Sequence, residues 1–207
     1  VSAGATVTLT GDVTIEDNTS ISGTVNCDAA LTTTANATTF TIAASGSLVY
    51  SGVSGSGDSM NISALTGAWS NSGSVTFDGG AAQTLTLQAG GTTFGSFSLS
   101  GASTDVTVAG GALDGNASDT INLLVGTNRL TFAYTGGTPD VDFANYTITN
   151  NGTIEFDTGG AATVDVDGGT KLSGTLEVSG GGNKVLFDAL GTVADLTIAD
   201  ATEAEIT

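Results

Sequence analysis

The chain has no histidine, one cysteine, one proline and only three lysines and arginines among its 207 residues. Without histidine there is no Ser-His-Asp triad and no imidazole metal ligand, and the single Cys27 can form neither an intramolecular disulfide nor a cysteine zinc site. Three cationic side chains against 21 acidic ones leave a formal charge of −18. That balance argues against nucleic acid and anionic lipid as partners, because binding to phosphate draws on Lys and Arg. No apolar run reaches the length of a membrane span. Glu, Lys, Arg, Gln and Met, the strong helix formers, are scarce.

What is present is glycine, 31 residues of it, with threonine, serine, alanine and valine in short alternating runs. These are strand and turn residues. The clearest phrase is NNGTIEFDTGG at 150–160. Asn151-Gly152 marks a turn, Ile154 and Phe156 point one way, Thr153, Glu155 and Asp157 point the other, and Gly159-Gly160 marks the next turn. Looser copies are SGSLVYSG (45–52), NSGSVTFDGG (71–80), STDVTVAGG (103–111), GTNRLTFAYTGG (126–137) and GGNKVLFDALG (181–191). The glycines opening these strands are Gly46, Gly73, Gly101, Gly126, Gly152 and Gly181. They recur about every 26 residues, a period in the range that marks a repeat architecture. Two longer alignments agree with it: 71–101 matches 150–180, and 40–50 matches 146–156.

The sequence therefore predicts one all-β domain over residues 1–207, a parallel β-solenoid (β-helix) of roughly 26-residue coils with three short strands each and almost no helix. An antiparallel sandwich would also use short strands and frequent turns, but gives no reason for one phrase to recur at one spacing. If coils align by phrase, Tyr50, Phe77, Val108, Phe132, Phe156 and Phe187 stack in one inward column. Val25 and Cys27 also point inward, in an early copy of the strand.

The segments NNGTIEFDTGGAATVDVDGG and GSFSLSGASTDVTVAGGALDG resemble the degenerate repeats of bacterial cell-surface right-handed β-helix proteins, the autotransporter-passenger and filamentous-haemagglutinin-like group. The resemblance covers residues 36–200 and is one of texture. It implies an exported, elongated, non-enzymatic scaffold for adhesion or surface structure, with no catalytic residues to carry over.

Candidate chemistry is sparse. The carboxylate pairs Asp140/Asp142, Asp165/Asp167 and Glu203/Glu205 each share a strand face, as acid/base work on a polysaccharide would need, but a solvated outer face is the simpler and stronger reading of them. An anionic polysaccharide would call for a basic cleft, and only Arg129, Lys171 and Lys184 are available. No enzyme is expected. Asp157 and Asp188 follow the inward aromatic of their phrases, as does Asp78, which makes Asp157 and Asp188 the candidate calcium ligands if phrases stack. No cofactor is required by the sequence. The Thr-x-Thr runs at Thr6–Thr10 and Thr84–Thr86 raise an ice-binding surface. In the phrase alignment, however, the outer column reads Val49, Thr76, Thr107, Thr131, Glu155, Leu186, and Glu155 and Leu186 interrupt it. Six glycosylation sequons begin at Asn18, Asn36, Asn61, Asn116, Asn145 and Asn151.

The chain opens without Met and alternates strand-like residues to its last positions, which reads as a processed or excised segment. Solenoids expose apolar cross-sections and strand edges at their ends unless capped. The expectation is an extracellular or cell-surface structural subunit that joins head to tail with itself. Alternatives are a glycan-binding adhesin segment and, less well supported, a solenoid polysaccharide-degrading enzyme.

Overall fold

The computed structural model describes residues 1–51, 59–80, 82–134, 140–160, 163–181, 184–199 and 203–207. The chain winds as a parallel β-solenoid of about seven turns, about 2% helical. Its one helical element among the described residues is the 3-10 turn Gly169–Lys171. The turn positions 52, 135–137 and 182–183 of three of the repeated phrases lie outside the described residues.

Three parallel faces surround the core. The first stacks Thr6–Leu9, Thr24–Cys27, Ser47–Tyr50, Ser74–Phe77, Phe97–Leu99, Asp119–Leu123 and Tyr146–Asn150. The second begins with Val13–Ile15, Leu31–Thr33 and Ser59–Asn61, and runs on through Ala82–Thr86, Asp105–Ala109, Arg129–Ala133, Thr153–Asp157 and Thr175–Ser179 to Asp195–Ile198. The third is built in two pieces. Thr19–Ile21, Thr39–Ile42 and Ala68–Asn71 form one; Thr92–Thr93, Leu113–Asp114, Asp140–Asp142, Thr163–Asp167, Lys184–Phe187 and Glu203–Ile206 form the other. Trp69 joins them. Its ring lies flat between Phe40 and Phe94, with centroids 5.0 and 4.9 Å away, and its Nε1–H donates to the Phe94 carbonyl at 2.9 Å.

Alternation builds each strand. Branched and aromatic residues at every second position enter a dry interior and Thr, Ser or charged residues between them face out, which is why the burial of Asp105–Ala109 and Thr153–Asp157 alternates without a break. Each fully buried Leu, Val or Phe contributes about 1.5–3 kcal/mol relative to exposure, and only coils on both sides complete that burial. Coils differ in length: a short one carries Val7 to its partner Val25, and a long one carries Leu31 to Met60. On the first face the coils between Val7 and Ile148 average about 24 residues, close to the expected period of about 26.

The strands expected from the sequence are present, with the expected inward residues, but the single aromatic column is not. Tyr50 and Phe77 belong to the first face, where the column continues to Leu99 and Leu123. Val108, Phe132 and Phe156 belong to the second, between Leu85 and Val178, and Phe187 belongs to the third, beside Val166. Phe156 does touch Phe187, edge to face at 5.6 Å, across the core rather than along a ladder.

The cause is visible in the corners. Asn71 and Asn150, which the longer alignment superposes, make the same turn. Each accepts at Oδ1 from the glycine N–H two positions on (Gly73, 3.1 Å; Gly152, 2.9 Å). Each also donates from Nδ2 to two carbonyls of the next coil, Phe94 and Ser96 for Asn71, Ser173 and Thr175 for Asn150. Gly95 and Gly174, both at positive φ, pack against these amides where a side chain would not fit. One corner leads from the third face to the first and the other from the first to the second, so the same phrase opens strands of different faces.

Candidate functional site

The outer surfaces of the three faces differ sharply. On the first, one column reads Thr8, Asn26, Val49, Thr76, Ser98, Asn122, Thr149, in direct strand-to-strand register throughout. Beside it Thr6, Thr24, Ser47 and Ser74 stack, and Thr120 pairs with Thr147. Ser96 bridges the two runs, its Oγ accepting from the Thr120 N–H at 3.0 Å. Every one of these residues reaches solvent, and none is charged. Asp28, Asp78 and Asp119 stand at the borders of the sheet.

The third face carries the acids. Asp140 pairs with Asp165 and Asp142 with Asp167 on adjacent strands, Asp114 lies in the strand before them and Asp188 just after the next. Burial, and then the neighbouring carboxylates Asp167, Asp165, Asp114 and Asp142, push Asp140 above the ordinary carboxylate range. Asp167 is raised by burial and by Asp165, Asp142 and Asp188, and Asp114 by burial and Asp142. Farther along, Lys184 forms an ion pair with Glu205.

The second face has a charge-paired node. Arg129 Nη1 donates to Glu155 Oε2 at 2.7 Å and to Glu177 Oε2 at 2.9 Å. Thr131 and Ser179 donate to the two Glu155 oxygens at 3.0 and 2.6 Å. Burial works upward on Glu155, but the hydrogen bonds from Ser179, Thr131 and Arg129 outweigh it and hold the carboxyl below its usual value. Both carboxylates are committed to this network, which is a cross-strand tie.

The structure does not bring the two candidate calcium ligands together. Asp157 closes a second-face strand and accepts at Oδ1 from the Gly159 N–H at 3.0 Å. Asp188 follows a third-face strand, accepting from the N–H groups of Gly169 and Ala189 at 3.0 and 2.7 Å. Those backbone donors, Gly169 first, hold Asp188 below the carboxylate range. Asp78, the third member of the expected series, follows a first-face strand. Among the described residues no group of three or more Asp, Glu, Cys or His side chains is placed to hold one metal ion. The Asp140/Asp142 and Asp165/Asp167 pairs do share a face, as expected. Cys27 is a buried thiol, its Sγ donating to the Ala29 carbonyl. Of the sequon residues, Asn18 spends its Oδ1 on the Thr38 N–H, the Thr38 hydroxyl and the Thr39 N–H.

Apolar side chains meet solvent at the first and last described coils. At the first coil an apolar cavity of about 190 Å³ is lined by Val1, Val7, Leu9, Val13, Ile15 and Ile21 among others. At the last coil Leu196, Ile198 and Ile206 are 36%, 47% and 57% exposed, although each alternates as an inward residue should. No helix among the described residues is long and apolar enough to cross a membrane.

Comparison with protein-family models, with curated proteins and with solved structures finds no match.

Proposed function

We propose that this chain is an extracellular structural β-solenoid subunit that stacks end to end with further copies of itself into a fibre. The observation that carries the reading is that inward-alternating apolar side chains meet solvent at the first and last described coils. Parallel strands at both edges offer main-chain hydrogen bonds to a further strand, and a head-to-tail contact of this kind propagates when it does not close. The likeness of its phrases to surface β-helix repeats and the high negative charge, which keeps a long fibre soluble, support the same reading. Divalent cations, calcium among them, enter it as counter-ions of the third face rather than as ligands shared by Asp157 and Asp188.

The same ends would be covered equally well by further coils of a longer surface protein, which is the adhesin-segment reading. Light scattering and electron microscopy of the purified chain separate the two. The fibre reading expects length to grow with concentration, and removal of residues 196–207 to abolish growth while the β-sheet circular dichroism persists. A chain that stays monomeric at every concentration contradicts the fibre.

A further inference from the structure

We propose that the first face is an ice-binding surface. The reading does not depend on fibre formation, since this face runs along the side of the solenoid and not across its ends.

Register is decisive. Glu155 and Leu186, which break the hydroxyl array when coils are aligned by phrase, lie on the second and third faces. With strands paired as they are, the Thr8 to Thr149 column holds hydroxyl or amide side chains at every position but one. The exception is Val49, which has the shape of threonine. The neighbouring column from Thr6 to Thr147 is serine or threonine throughout. Side chains two positions apart on a strand stand about 6.6 Å apart, and strands are about 4.8 Å apart, so they form a rectangular grid about 29 Å long. Both repeats are close to oxygen spacings on the surface of hexagonal ice. Waters held by such a grid of hydroxyls, each making two or more hydrogen bonds, are positioned as a layer of that lattice.

Two further observations point to the same ligand. Charge is kept to the edge: a chain with 21 acidic residues places none in these two columns, and the nearest, Asp119 at the end of its strand, accepts from the Ser96 hydroxyl at 3.3 Å. A neutral face suits a neutral ligand, since a carboxylate would orient water around itself and break the lattice. The grid is also held stiff from behind. Leu48, Tyr50, Val75, Phe77, Phe97 and Leu99 alternate with the outward residues and are essentially inaccessible, with Tyr50, Phe77 and Phe97 locked edge to face. Stiffness lowers the ordering cost of binding a solid.

The test is growth of single ice crystals and ice recrystallisation in the presence of the purified chain. Wild type should facet the crystals, open a gap between melting and growth temperatures, and suppress recrystallisation. Thr76→Tyr with Ser98→Tyr, at the centre of the grid, should cut that activity about tenfold or more. Thr107→Tyr on the second face should leave it intact, with circular dichroism and melting temperature confirming that each variant folds. Round, freely growing crystals with wild type would overturn the proposal. So would equal loss from first-face and second-face substitutions. Retention on a crystalline polysaccharide without any effect on ice would likewise overturn it, and make the first face a glycan platform instead.

Discussion

The first face and the second piece of the third are built on the same kind of parallel ladder, with the same inward alternation, yet one is a neutral field of hydroxyls and the other an acidic column. The difference shows that the inward and outward letters of a solenoid strand are written independently. The core needs only size and apolarity at every second position, and the outside is free to serve a partner or repel one. Asp140 facing Asp165 and Asp142 facing Asp167 are arrangements that cost stability, because like charges directly opposite each other repel. Thr76 between Val49 and Ser98 carries no such cost.

The largest expected effects should be blind to this contrast. Phe77 behind the first face, Phe156 behind the second and Phe187 behind the third are all fully buried. Each Phe→Ala substitution should cost about 3–5 kcal/mol in a denaturant titration. A loss below about 1 kcal/mol at any of them would mean that the ring faces solvent there. Next in size is the second-face node: Glu155→Gln should cost about 1–2 kcal/mol, since it weakens charge-assisted bonds from Arg129, Thr131 and Ser179. No change would show that the node is ornamental.

A pH titration of stability sharpens the comparison between the faces. Asp140, Asp167 and Asp114 have raised values, so the folded state takes up their protons more readily than the unfolded state does. Stability should rise as pH falls from neutral through a window just above the ordinary carboxylate range. Glu155 and Asp188 are lowered, and their contribution, present above the ordinary range, is lost as pH falls through their depressed values. The melting temperature should pass through a shallow maximum on acidification. A monotonic fall would contradict the crowding of the third face. The smallest effect expected is from Asp165→Asn, a rise in Tm of less than about 4 °C at low ionic strength that shrinks as salt is added. A first-face change of matched size, Thr76→Ser, should show no dependence on salt.

The strands, their inward residues and the solenoid class were legible because period-two alternation and turn residues are local signals. Val25 and Cys27 point inward as read. Which face each strand joins was not legible. The repeated phrase tracks a corner, Asn with glycine two positions later, and the same corner serves two different vertices of the coil at Asn71 and Asn150. Coils of unequal length then let evenly spaced phrases drift from face to face. That drift separated Asp157 from Asp188, and it moved Glu155 and Leu186 off the hydroxyl columns.

The assignment of strands to faces rests on register, and paired cysteines read register directly. In a Cys27→Ala background, Thr76→Cys with Ser98→Cys places two thiols on adjacent first-face strands, within the Cα separation that a disulfide spans. Thr76→Cys with Thr107→Cys makes the pair that alignment by phrase would stack, but places them on different faces. Under mild oxidation the first pair should close within the monomer and the second should stay reduced. Closure of the second pair with the first left open would contradict the three faces described here.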